Sequence, residues 1–257
     1  MNNSRTKVIL VGIGGATCSG KTTLAKHLKN ILPNSVIIHQ DDFAPPRELI
    51  PRHPVYDVED WDTPQGAIDW SRFRTFLRAV KKEGSIPLDH RSHDHLNEQK
   101  EFPIDAEHFK QWKDEFEHIS RRFKTEKHTQ ILWGLVDGFL LYWDKEAIDQ
   151  LDARIFLRVP HDELKRRRHE RHGYHTAEGA LWRDPPHYWE QIVYPAYLEA
   201  HKDIFEGGNV ETGKLNEEKV KDLMVLENAQ MDTTDVVAVC CEKLKAFVSK
   251  SEVTANS

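Results

Sequence analysis

Only three cysteines occur in 257 residues. That is too few for a disulfide framework and indicates a reducing compartment. No apolar run approaches the roughly eighteen residues needed to cross a bilayer, so a membrane partner is not expected. A β-branched stretch begins within ten residues of Met1, which leaves no room for a signal or transit peptide. The expected location is cytoplasmic, with the nucleus as an addition. Acidic residues outnumber basic ones, giving a net charge of −6, so an extended nucleic-acid surface is not expected either. An Asn-Lys-x-Asp guanine motif and an Asp-x-x-Gly switch are both missing, as are internal repeats and low-complexity linkers. With 39% hydrophobic and 30% charged residues, the chain suits one large α/β domain with a polar surface, residues 1–257, as a monomer or weak homo-oligomer.

The most specific feature is Gly15-Ala16-Thr17-Cys18-Ser19-Gly20-Lys21-Thr22, followed by Thr23. An apolar run at 8–13 suits a buried parallel strand before it. After it Leu24, Leu28, Ile31 and Leu32 recur at helical spacing until Pro33. Strand, glycine-bounded loop and helix start together form a phosphate-binding loop. Gly15 and Gly20 let the backbone curl so that N–H groups face phosphate oxygens at the positive end of the helix dipole. Lys21 then reaches the β- and γ-phosphates, and the Thr22 hydroxyl can ligate Mg²⁺. A bound nucleoside triphosphate is the direct implication. Cys18 reads as loop filler at a helix start, and Cys240 and Cys241 as small core residues.

Further strands are expected at 35–39, 131–136, 154–159 and 223–226. Helices lie between them, one with Phe73, Phe76, Leu77 and Val80 on a face closed by Gly84. This alternation predicts a doubly wound parallel sheet, a three-layer P-loop kinase fold with helices on both faces. Ligands of such sheets sit beyond the carboxyl ends of the strands. An insertion is expected at about 85–128: a His-rich stretch with His90, His93, Asp94 and His95, read as solvated, then a helix. The stripe Phe109, Trp112, Phe116, Ile119 and Phe123 of that helix packs on the body, with a partner-binding groove as the minor alternative.

Asp137 ends an apolar strand, where it can support Mg²⁺ or cap the next helix. Asp41 and Asp42 follow the second strand. One of them can face the triphosphate and accept the proton of a hydroxyl in line with the γ-phosphate; the alternative is a pair of turn residues. Arg167 and Arg171 share a helical face with Arg168 beside them, in a segment whose one apolar residue is Leu164. This arginine cluster reads as a lid over ATP, at about 161–186, and otherwise as a nuclear-localisation patch or a solvated face.

The phosphate loop, Gln40-Asp41-Asp42-Phe43, Trp61-Asp62-x-Pro, Val136-Asp137-Gly138-Phe139-Leu140-Leu141 and Lys165-Arg166-Arg167-Arg168-x-x-Arg171 occur in this order. Asp184-Pro185-Pro186-x-Tyr188 and Tyr194-Pro195-x-Tyr197 follow them. The set resembles the nicotinamide riboside kinases, within the uridine kinase group of nucleoside kinases, over about residues 7–205. The resemblance implies ATP-dependent phosphorylation of the 5′-hydroxyl of nicotinamide riboside, and of nicotinic acid riboside, for NAD synthesis. It implies Asp41 as general base with Lys21 at the phosphates, and Thr22, Asp41 and Asp137 around Mg²⁺. Asp42 and Phe43 would flank the acceptor, Asp62 and Arg168 would hold the ribose hydroxyls, and Trp61 and Tyr174 would sandwich the pyridine ring. Arg167 and Arg171 would be the lid arginines on ATP. Tyr56-Asp57 is a second aromatic–acid pair that could line the base pocket. A uridine or cytidine kinase is the alternative function, and a nucleotide-dependent switch the remote one.

Overall fold

A computed structural model describes residues 5–88, 90–97, 102–171, 173–176 and 179–255. The expected insertion and lid therefore each include a few positions outside the described residues. Five parallel strands form the centre: β1 (Arg5–Gly15), β2 (Ser35–His39), β3 (Thr129–Gly138), β4 (Ala153–Arg158) and, late in the chain, β7 (Leu223–Glu227). Their order is β2-β3-β1-β4-β7, with a separate antiparallel hairpin of β5 (Tyr174–His175) and β6 (Leu181–Trp182). The helices are α1 (Lys21–Ile31), α2 (Trp70–Glu83), α3 (Ala106–Glu126), α4 (Lys145–Ile148), α5 (His161–Glu170), α6 (Tyr194–His201) and α7 (Thr233–Ala255). All five expected sheet strands are present, and β1 and β3 run longer than their apolar cores.

Alternation along β1 divides the core. Ile9, Val11 and Ile13 face one layer, where Leu24 and Leu28 of α1, Phe116 of α3 and Cys240 and Leu244 of α7 pack. Leu10 faces the other, with Phe73 and Leu77 of α2 and Tyr197 of α6. A strand segment buried on both faces has to be apolar, as 8–13 of β1 and 131–136 of β3 are. Helix ends follow local chemistry: the Asp69 carboxylate accepts from Arg72 N at 3.0 Å, and Gly84 takes the left-handed conformation (φ 70°) that closes α2.

The insertion helix α3 belongs to this core. Trp112, Phe116, Ile119 and Phe123 are buried against α1, α7 and β3, and Phe116 sets its ring edge-on to Trp133 at 5.7 Å. Its apolar stripe is therefore covered from within the chain. Phe116→Ala should cost about 3–5 kcal/mol of unfolding free energy, the range for a buried aromatic truncated to a cavity. Urea denaturation measures this, and a loss under about 1 kcal/mol would remove α3 from the core.

Candidate active site

The carboxyl ends of β1, β2 and β3 converge. Parallel register sets Ile13 beside Asp137 and His39 beside Asp137, so the phosphate loop, the β3 carboxylate and the turn after β2 meet at one edge. The curl of the loop depends on close backbone approach. A Cβ on Gly15 would lie 2.4 Å from the Leu157 carbonyl oxygen, and Gly20 has φ 98°. Thr17, Cys18, Ser19, Gly20, Lys21, Thr22 and Thr23 line a cavity of about 1210 Å³, with Gly15 and Ala16 behind them. In this structure Lys21 Nζ donates to the Ala16 carbonyl at 2.8 Å.

Thr22 Oγ1 donates to Asp137 Oδ2 at 2.5 Å, and His39 Nδ1 lies 3.3 Å from the same oxygen. Burial opposes ionisation of Asp137, yet the His39 hydrogen bond and the Lys21 charge bring its pKa below the ordinary value. Burial also pulls His39 down, but the bond and charge of Asp137, with Asp94 and Asp42, carry it above the usual range. Burial lowers Lys21 despite Asp137 and Asp41 nearby. Asp41 moves the other way. Desolvation raises it, aided by Asp137 and opposed by a hydrogen bond from the Tyr174 phenol. Two adjacent carboxylates thus differ in proton affinity: Asp137 stays ionised and Asp41 is disposed to take a proton.

The arginine cluster of α5 sits against the glycine-bounded loop. Arg167 Nη1 donates to the Cys18 carbonyl at 3.3 Å and Arg168 Nη1 to Thr17 Oγ1 at 3.0 Å. Arg168 also makes a two-point bond to Asp184, Nε and Nη2 each at 2.8 Å. The Arg171 guanidinium lies over the Tyr174 ring at 4.7 Å. Asp62, buried in the same wall, has its pKa raised by desolvation to about 7, with Arg168 opposing and Asp184, Asp60 and Asp41 adding to the rise.

Several expectations need correction. Phe43 does not line the cavity; it is buried among Phe73, Phe76 and His90. Its turn directs the ring into the α2 layer. Asp42 reaches the cavity wall, but its Oδ1 accepts from His93 N at 3.0 Å and lies 3.3 Å from His93 Nδ1. Tyr56 stacks on His53 and Asp57 pairs with Arg52, both away from the cavity, so Trp61 and Asp62 are the pair that lines it. The His-rich stretch is not a solvated excursion. His93, Asp94, Leu96 and Asn97 line the cavity, and Asp94 pairs with Lys26 at 2.8 Å. Asn97 Oδ1 accepts from His175 N at 2.8 Å, while its Nδ2 donates to His175 O at 3.4 Å, which fastens the insertion to the lid hairpin.

Sequence reasoning missed His39, Asn97, Trp182, Asp184 and Asn228, all in or against the cavity wall. Asn228 Nδ2 donates to the Ser19 carbonyl at 2.9 Å. A polar residue closing an apolar strand was a usable signal for His39. Asn97 and Asn228 act on backbone atoms far away in sequence and carried no such signal.

The chain is 36% identical over 217 residues to a nicotinamide riboside kinase of Schizosaccharomyces pombe, an alignment covering 84% of this chain and 88% of the other. It is 32% identical over 244 residues to the protein of that name from Saccharomyces cerevisiae, covering 93% and 97%. Nicotinamide riboside kinase 2 of Homo sapiens is 31% identical over 225 residues, covering 86% and 81%. No family model matches the chain.

Asp62 gives a stability signature. Its folded pKa, about 7, exceeds the ordinary value of 3.8, so the folded state holds the proton more tightly. The associated stability is full below about pH 4 and is lost as pH rises through 7. Asp62→Asn should remove a pH dependence on the order of 2–4 kcal/mol across that window and leave the nucleotide-free protein more stable than wild type at pH 8. Urea midpoints at pH 5 and 8 measure this. An unchanged difference between them in the variant would clear Asp62 of the effect.

Proposed function

The chain belongs to the nicotinamide riboside kinase family, and from that membership we propose that it transfers the γ-phosphoryl group of ATP to the 5′-hydroxyl of nicotinamide riboside. Nicotinic acid riboside, with the same sugar and ring frame, is the second acceptor. The observation that carries this reading is the meeting of a phosphate loop, an ionised Asp137 and a raised-pKa Asp41 in one cavity with Trp61, Asp62 and the lid arginines.

The chemistry follows from those positions. The acceptor hydroxyl gives its proton to the Asp41 carboxylate as its oxygen bonds the γ-phosphorus, and the bond to the bridging oxygen breaks to release ADP. A carboxylate offers about four acceptor sites, so the Tyr174 phenol leaves room for the substrate hydroxyl on Asp41. Lys21 exchanges the Ala16 carbonyl for phosphate oxygens, and Arg167 and Arg171 neutralise charge on the transferring group. The lid arms, already against Thr17 and Cys18, keep bulk water from the γ-phosphate. Asp62 and Arg168 are charged or polar groups suited to sugar hydroxyls.

The residues present also fit Mg²⁺. Thr22 Oγ1 and Asp137 Oδ2 are hard oxygen donors already in contact, with Asp41 alongside, and Mg²⁺ takes one or two protein oxygens plus phosphate and water. Held by Thr22, Asp137 and Asp41, the ion would supply positive charge to offset that of the phosphates.

Steady-state kcat/KM with Mg-ATP across nicotinamide riboside, nicotinic acid riboside, uridine and cytidine tests the acceptor. The two pyridine ribosides should lead, and a wide margin for uridine would assign the chain to the pyrimidine nucleosides instead. Asp41→Asn should retain ATP binding and lose roughly 10²–10⁴-fold in kcat, the worth of a positioned base. Near-wild-type turnover in that variant would exclude Asp41 as the base. Lys21→Ala should weaken transfer to every acceptor alike.

A further inference from the structure

The proposed reaction uses no residue of the segment at 90–97, yet that segment reaches both flanks of Asp41. On one flank is the 3₁₀ turn Gln40–Phe43, which carries Asp41 itself. Gln40 Oε1 accepts from Leu140 N at 2.9 Å and the Asp42 carbonyl accepts from Arg72 Nη2 at 2.8 Å, so the body holds the turn before and after Asp41. The insertion adds a third hold. The buried Asp42 side chain accepts at Oδ1 from His93 N at 3.0 Å, which ties the neighbour of Asp41 to this segment.

On the other flank is β5. Asn97 Oδ1 accepts from His175 N at 2.8 Å, and its Nδ2 donates to His175 O at 3.4 Å. One amide thus engages both backbone groups of the residue after Tyr174, and a two-point contact fixes orientation as well as distance. Tyr174 in turn donates its phenolic hydrogen to Asp41 Oδ2. Between these ends the segment is pinned to α1, where Asp94 pairs with Lys26 at 2.8 Å. The terminal torsion of an aspartate is broad, so the bonds its oxygens make decide where the carboxylate points. An acceptor hydroxyl has to meet one carboxylate oxygen while staying in line with the γ-phosphorus, and small errors in that direction are costly. The phenol on Oδ2 leaves Oδ1 to face the acceptor.

We propose that Asn97 is a positioning residue for phosphoryl transfer: through His175 and Tyr174 it sets the direction of the Asp41 carboxylate, while the His93–Asp42 bond braces the opposite flank. The role rests on Asp41 being the base of the proposed function, and it gives the insertion a part in the reaction without contact to the reacting atoms.

A double-variant cycle tests it. With the nucleoside that wild type phosphorylates best, kcat and the KM values for that nucleoside and for ATP are measured in Asn97→Ala, Asn97→Gln, Tyr174→Phe and Asn97→Ala combined with Tyr174→Phe. Asn97→Ala should lower kcat by roughly 10- to 100-fold and leave the KM for ATP within about twofold, as expected for a misplaced base beside an intact phosphate site. Asn97→Gln keeps the amide on a longer arm and should fall between alanine and wild type. Tyr174→Phe keeps the ring and removes the hydroxyl through which Asn97 acts. In that background Asn97→Ala should lower kcat by less than about twofold more, because the two residues form one chain. Additive losses, a loss confined to the KM of the nucleoside, no recovery in Asn97→Gln, or an unchanged kcat in Asn97→Ala would each overturn the role. Should alanine destabilise the fold, Asn97→Gln goes through the same cycle, and its smaller loss should likewise vanish beside Tyr174→Phe. Asp41→Asn separates this role from the reading it rests on. Near-wild-type turnover there removes the base and the positioning role together, whereas an inactive Asp41→Asn beside a fully active Asn97→Ala overturns the positioning role alone.

Discussion

The hydrogen bond from Thr22 to Asp137 is the constraint from which the site is built. It joins the first turn of α1 to the last residues of β3, two elements that are separated in sequence by 115 residues. A buried carboxylate is tolerable only when its lone pairs are satisfied, and Asp137 is satisfied by Thr22, by His39 from the neighbouring strand and by the Lys21 charge. Each of those groups is fixed by backbone: Thr22 by the helix start, His39 by its register with Asp137, Lys21 by the curl between Gly15 and Gly20. The carboxylate therefore holds the glycine-bounded loop, the Thr22 hydroxyl and the end of β2 in one geometry. Losing any one partner would leave the charge under-compensated and loosen all three.

A second charged assembly governs the lid. Arg168 is half-buried, and desolvation alone would disfavour its charge, but the Asp184 bond and the Asp62 charge more than compensate. This arginine touches Thr17 of the phosphate loop, Asp184 of the lid and, through its field, Asp62 of the acceptor wall. α5 buries only Leu164, so few apolar contacts hold it down, and polar contacts set its position. The insertion adds a fixed reference on the other side, with Asn97 pairing to both backbone groups of His175.

What could be read in the sequence was what local chemistry decides. The strand, glycine-bounded turn and helix start at 8–24, the Gly84 close of α2 and the apolar stripes of α1 and α3 are set by residues within a few positions of each other, and they stand as expected. Phe43 was drawn toward the site by its motif, yet a single-turn change of direction after Asp42 is enough to send the ring into the α2 layer. The 90–97 stretch read as solvated because its polar side chains had no partners nearby in sequence. Their partners are Asp42, Lys26 and His175, at separations a linear pattern does not show. Trp182 lies in a two-residue strand, too short for periodicity to place it in the cavity wall.

In the proposed reaction, the opposed proton affinities of Asp41 and Asp137 would suit the two carboxylates to different roles. Both are desolvated and each raises the cost of ionising the other, so one must yield. Asp137 keeps its charge because His39 and Lys21 face it and Thr22 donates to it. Asp41 receives one phenolic hydrogen bond and less of the Lys21 field, so the shared penalty falls on it. A group that supports a cation must be anionic throughout turnover, whereas a base must be able to accept a proton and return it. Under the proposed roles Asp137 would do the first and Asp41 the second, and Thr22, His39 and Lys21 make that difference. An arrangement that satisfied Asp41 equally well would be more stable and, on that proposal, worse as a catalyst.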